Sequence, residues 1–177
     1  MKVRFRSDNP TETLELGRRL GRFLLGGDVV LLKGDLGAGK TALAQGIGQW
    51  LGVTEGLTSP TFTLIQEYPV RKGQLTLVHM DLYRLRHPEE AEVIGVEDHF
   101  QQDKICVIEW PEVAAELLPD DALVVELKGS GDEPRRIIMN SSDSGWAERL
   151  NTFAEPSVGL MPSKQQYLGG YDEIPHS

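Results

Sequence analysis

Gly34-Asp35-Leu36-Gly37-Ala38-Gly39-Lys40-Thr41 has the spacing of a Walker A phosphate loop: a glycine, four residues, a glycine, a lysine and a threonine. The residue types state the chemistry. Glycines accept a positive φ and let the backbone come close to a phosphate. The loop N–H groups and those opening the following helix then face the anion, which brings Ala42 into the candidate binding set. Lys40 supplies a point charge for the β- and γ-phosphates, and the Thr41 hydroxyl a ligand for Mg2+. A plain glycine-rich turn before a helix is the competing reading. The apolar run Val29-Val30-Leu31-Leu32 before the loop and the helical pattern after it favour the phosphate loop.

A phosphate loop needs a magnesium-linked acid and a group that orients the attacking water. Such acids belong at the carboxyl ends of neighbouring strands. Two strand-like runs end that way, Leu77-Val78-His79-Met80-Asp81 and Ile105-Cys106-Val107-Ile108-Glu109. One acid is expected to hold Mg2+ with Thr41 and the other to polarise the water, with the division between them open. An exposed strand-end carboxylate explains either acid alone, but not two in equivalent places after a Walker A loop.

Other residues are less specific. Ser59-Pro60-Thr61-Phe62 lies between the loop and Asp81, where a hydroxyl-bearing segment senses the γ-phosphate in many switches and where a proline turn entering a strand serves equally well. Trp110, just after Glu109, has three readings: a cover for the nucleotide, a core residue or an interface residue. His79 reads as a structural histidine rather than one that positions water, and Cys106 as a small core residue. His87, His99 and His176 lack metal-ligand spacing, so no zinc is expected.

The elements that must position these groups follow from the pattern. Ser7-Asp8-Asn9-Pro10-Thr11 is a helix-start signal, and Leu16, Leu20, Phe23 and Leu24 recur behind it at helical spacing. A second helix is expected over about 40–51 and a third from His87 to about Phe100. Phe62 to Tyr68 and Leu75 to Met80 read as strands joined at Arg71-Lys72-Gly73, and Ile105 to Ile108 as a buried strand. Leu123 to Leu127 and Arg136 to Met139 form a final antiparallel pair, followed by a helix over about 144–153. The expected domain is 1–153. Residues 154–177, punctuated by proline and glycine, read as a mostly disordered tail.

The chain has 177 residues, 40% hydrophobic and 25% charged, which suits one ordinary globular domain. Its net charge of −9 repels a polyphosphate backbone, so tight binding of DNA or RNA by the chain alone is not expected. With one cysteine, no apolar stretch of membrane-spanning length and no signal-peptide h-region, the chain reads as cytoplasmic.

Together, Gly-Asp-Leu-Gly-Ala-Gly-Lys-Thr at 34–41, Ser-Pro-Thr-Phe at 59–62, His-Met-Asp-Leu-Tyr-Arg at 79–84 and Ile-Glu-Trp-Pro-Glu at 108–112 resemble the TsaE (YjeE) family. The resemblance covers roughly residues 5–140. It implies an α/β P-loop NTPase with a mainly parallel sheet and helices on both faces. It also implies adenine as the base and slow Mg-dependent ATP hydrolysis. The partners would be the TsaD and TsaB proteins, whose complex hydrolysis resets during threonylcarbamoyladenosine modification of tRNA, with tRNA reached only through that complex. By matching positions, Lys40 contacts phosphate, Thr41 and Glu109 hold Mg2+, Asp81 is the Walker B acid, Ser59 and Thr61 belong to the switch segment and Trp110 lies near nucleotide or partner. An arginine near the final strand is expected to approach the nucleotide. Arg136 is taken with the site residues, although the adjacent Arg135 fits as well. A small-molecule kinase and a nucleotide-gated binding module on the same loop are the other two readings. No arginine-rich lid segment is evident for the kinase.

Overall fold

The computed structural model describes residues 1–60 and 63–155, so Thr61, Phe62 and most of the expected tail lie outside the described residues. Among the described residues, strands β1 (Lys2–Ser7), β2 (Val29–Lys33), β3 (Ile65–Val70), β4 (Leu75–Asp81), β5 (Lys104–Glu109), β6 (Leu123–Lys128) and β7 (Arg135–Asn140) form one sheet in the order β1-β7-β6-β2-β5-β4-β3. The centre β6-β2-β5-β4 is parallel, and the antiparallel pairs β3–β4, β6–β7 and β1–β7 flank it. The expected α/β fold with a mainly parallel sheet and a C-terminal antiparallel pair is present.

Helices α1 (Pro10–Gly21), α2 (Lys40–Leu51) and α4 (Ser144–Ala154) cover one face, and α3 (Pro88–Val93) with the 3-10 turns Val96–His99 and Pro111–Leu117 covers part of the other. Strand alternation feeds both layers. Val30, Leu32, Leu77, Ile105 and Val107 join the core under α1 and α2, while Val29, Leu31, Val78, Met80, Cys106 and Ile108 join the core under α3. Cys106 is buried there, its Sγ donating to the His99 carbonyl at 3.2 Å.

One element was not anticipated and one expectation is corrected. The basic N-terminus is an edge strand, its Val3, Phe5 and Ser7 turned inward and its Lys2 and Arg6 outward. The third helix stops early. Gly95 adopts φ 74°, a left-handed conformation that ends α3, and the chain resumes as a 3-10 turn.

The start of α1 is tied by a reciprocal cap. Asn9 Oδ1 accepts the Glu12 amide at 2.9 Å, and Glu12 Oε2 accepts the Asp8 amide at 2.7 Å. Glycines let α1 and α2 touch backbone to backbone. A Cβ on Gly17 would stand 2.1 Å from the Leu43 carbonyl oxygen, and one on Gly46 would stand 2.0 Å from that of Leu14. This contact holds the helix behind the phosphate loop against the helix that borders the loop's other side. No helix among the described residues is long and apolar enough to cross a membrane.

Candidate active site

The loop joins β2 to α2. Gly39 caps α2 at φ 102°, a conformation that strains residues with a Cβ, and so turns the loop onto the helix. Gly34 lies against β6, where an added Cβ would meet the Leu127 carbonyl oxygen at 2.5 Å. Asp35, Leu36 and Gly37 are exposed, Ala38 is buried, and Ala42 follows Thr41 in the first turn of α2. Lys40 lies across the loop, its Nζ donating to the carbonyls of Gly34 at 2.6 Å and Asp35 at 2.8 Å. Burial holds its ammonium below the ordinary lysine range, opposed by the charges of Glu109 and then Asp81.

The two strand-end acids are neighbours. β4 and β5 run parallel with Asp81 opposite Glu109. The two-residue period puts His79, Asp81 and Glu109 on the face that carries Leu77, Ile105 and Val107, beneath α2. The Thr41 hydroxyl faces Glu109, 3.2 Å from each carboxylate oxygen. Ser59 Oγ donates to Asp81 Oδ2 at 2.6 Å, and the Tyr83 amide donates to Asp81 Oδ1 at 3.0 Å. Glu109 is buried, with His79 Nε2 2.9 Å from its Oε1. Of the two strand-end acids, Glu109 is the one in contact with Thr41. Thr61, the other switch residue, is outside the described residues.

Trp110 follows Glu109 at φ 56°, an unusual backbone for a bulky residue and a form of local strain that clusters at functional sites. That turn brings its ring against Tyr83 in a tilted contact, with centroids 4.8 Å apart and the planes at 47°. Lys40, Thr41, Ser59, Asp81, Glu109 and Trp110 line a cleft of about 270 Å³ beside the loop, with exposed Leu36 and Tyr83 at its lip.

A second recess, about 390 Å³, adjoins the loop on the α1 side and is bordered by Asn9, Thr13, Gly37, Gly39, Asp132 and Arg135. Arg135 reaches the loop from β7. Its Nε donates to the Ala38 carbonyl at 3.1 Å, and its Nη2 to Gly37 at 3.2 Å and Gly131 at 2.9 Å, while Nη1 meets the Glu133 carbonyl. Arg136 does not join this group. Strand alternation sends it to the opposite face, exposed, in register with Arg6 and Lys128. Asn9 was readable in the sequence only as part of a helix-start signal, and Thr13 carried no signal of its own. Their place at the recess depends on how α1 docks.

The donor set suits a hard divalent cation. The Thr41 hydroxyl and the Glu109 and Asp81 carboxylates are oxygen ligands of the kind Mg2+ takes in phosphate sites, and Thr41 and Glu109 already converge within hydrogen-bond distance.

The family model for threonylcarbamoyl adenosine biosynthesis protein TsaE matches residues 7–138. The chain is 40% identical over 140 residues to the tRNA threonylcarbamoyladenosine biosynthesis protein TsaE of Bacillus subtilis (strain 168), covering 79% of this chain and 86% of that protein. The protein of the same name from Treponema pallidum (strain Nichols) is 41% identical over 133 residues, covering 75% of this chain and 96% of that protein. A crystal structure of Bacillus subtilis YdiB is similar with a TM-score of 0.71 at 32% identity, over 87% of this chain and 95% of that one.

Proposed function

This chain belongs to the TsaE family of P-loop ATPases, and from that membership we propose that it hydrolyses MgATP slowly alone and faster on its partners. In this role it resets a TsaD–TsaB complex during threonylcarbamoyladenosine modification of tRNA, which it reaches only through that complex in the cytoplasm. One observation supports the reading above the rest: Thr41 of the phosphate loop faces the Glu109 carboxylate, with Asp81 beside it in register.

The geometry supports an assignment of roles. The loop amides from Gly34 to Thr41 and the start of α2 receive the phosphates. Lys40 leaves the Gly34 and Asp35 carbonyls for the β- and γ-phosphates, a short swing for a flexible side chain. Thr41 and Glu109 would hold Mg2+, which when bound would supply positive charge to offset the charge of the phosphates. Asp81, fixed by Ser59 and the Tyr83 amide, orients the attacking water. The nucleoside occupies the recess beside Asn9 and Thr13, and Arg135 steadies the wall between recess and loop. Slow turnover alone is expected because, among the described residues, the cation lining the cleft is Lys40, whereas an arginine inserted by a partner raises such rates by about 10³–10⁵.

The test is phosphate release from ATP by the purified chain, with and without TsaD and TsaB of the same organism. Slow release, acceleration by the pair and loss in Glu109→Ala are the expected results. Fast partner-independent release, or transfer of phosphate to a small acceptor, would point to a stand-alone ATPase or a kinase.

A further inference from the structure

His79 is a buried imidazole that the chemistry above does not use. It is 0% exposed, and its Nε2 lies 2.9 Å from Oε1 of Glu109. Its Nδ1 has no hydrogen-bond partner among the described residues. The two neutral tautomers are therefore unequal. A proton on Nδ1 would bury an N–H without an acceptor and turn the Nε2 lone pair toward a carboxylate. A proton on Nε2 donates to Glu109 and leaves only a lone pair unmatched, so the site selects that tautomer.

The fold gives no reason for an imidazole here. His79 stands opposite Val107 on one side and Gln66 on the other, on the face that carries Leu77 and Ile105. An apolar side chain of similar volume would fill this place without an orphaned nitrogen. What His79 adds is asymmetry at Glu109. Thr41 stands equally far from both carboxylate oxygens, whereas His79 bonds Oε1 alone. The bond fixes the rotation of the carboxylate at its terminal torsion, which is otherwise broad.

We infer that His79 is a positioning residue: its Nε2–H holds the Glu109 carboxylate in the orientation in which it takes Mg2+ together with Thr41. The inference rests on the MgATP reading. Partners that orient a metal-binding side chain typically govern metal affinity or activity by about 10–100-fold.

The experiment uses the full chain and compares His79→Asn, His79→Leu and His79→Gln. The glutamine amide nitrogen can reach the place of Nε2, whereas the asparagine amide stops near Nδ1. Binding of a fluorescent ATP analogue (mant-ATP) is measured while Mg2+ is titrated, and again in EDTA, alongside kcat, KM and Tm. His79→Asn and His79→Leu are expected to raise the half-saturating Mg2+ concentration about tenfold or more and to lower kcat. Binding in EDTA stays at the wild-type level, and His79→Gln recovers most of the loss. Wild-type Mg2+ dependence in a folded His79→Asn protein overturns the inference. So does an equal loss in the Asn and Gln variants with matched falls in Tm, which marks a packing role. A wild-type chain whose binding of the analogue ignores Mg2+ overturns the MgATP reading itself, and that result is read without any variant.

Discussion

The Lys40 ammonium lies 4.0 Å from the centre of the Trp110 ring, while the same ring makes a tilted contact with Tyr83 at the lip of the cleft. A cation so placed over an indole is attracted to its face. Lys40 cannot keep both this contact and its bonds to the Gly34 and Asp35 carbonyls when it turns to a phosphate. Nucleotide binding is therefore expected to change Trp110 fluorescence. The change should vanish in Trp110→Phe, which leaves Trp50 and Trp146 as silent controls. Lys40→Ala is expected to abolish tight ATP binding. A Lys40→Ala protein that still binds ATP tightly would count directly against the loop assignment.

The two adjacent arginines of β7 should behave differently. Arg135 crosses to the loop and donates to the Gly37 and Ala38 carbonyls, whereas Arg136 points from the other face of the sheet. Hydrogen bonds from a charged donor contribute about 1.5–3 kcal/mol, so Arg135→Ala is expected to weaken ATP binding roughly tenfold or more. Arg136→Ala should leave it nearly unchanged. Calorimetric titration of both variants decides the matter, and equal losses would place the nucleotide contact elsewhere.

The site was legible wherever the signal is local. The phosphate loop is one contiguous octapeptide, and each acid closes its own apolar run. The parts that depend on long-range register were not. Alternation alone pairs Arg135 with Ile137 and Met139 on one face, but only the docking of β7 on β6 and β1 shows that this face looks toward the loop. The strand at Lys2–Ser7 alternates clearly, yet its partner lies more than a hundred residues away. His79 looked structural because no sequence pattern reveals that it lies diagonal to Glu109 across two parallel strands.

The contact between α1 and α2 gives a stability prediction. Gly46→Ala improves helix propensity by about 1 kcal/mol, but the new methyl would stand 2.0 Å from the Leu14 carbonyl oxygen. That oxygen belongs to a helix backbone and cannot turn aside as a side chain would. Overpacking of this kind costs roughly 1–3 kcal/mol, occasionally more, so the clash outweighs the propensity and the variant should unfold at lower urea. Gly48→Ala in the same helix meets the Leu57 Cδ1 at 3.0 Å, the end of a flexible side chain. It should lose less than Gly46→Ala, and the reverse order would mean that α1 and α2 are not in backbone contact.

The last prediction concerns pH. Burial pushes the Cys106 thiol up to about 12, chiefly because the thiolate would lose its hydration between β5 and the turn at His99. A free thiol titrates near about 8.5. The folded-state pKa therefore lies above the unfolded one, so the stabilisation from keeping the thiol neutral is fully present below about pH 8.5. As pH rises above that value the unfolded state loses its proton first, and stability falls by up to about 1.4 kcal/mol for each pH unit until the folded thiol also titrates. Cys106→Ala and Cys106→Ser remove this slope, so urea denaturation between pH 8 and 10 should show a steeper loss in the wild type than in either variant. The same burial protects the sulfur from reagents. At pH 8.5 an alkylating probe should leave the native chain unlabelled and label it fully in guanidinium. Rapid labelling of the native protein would show that the core beneath α3 opens far more readily than its packing implies.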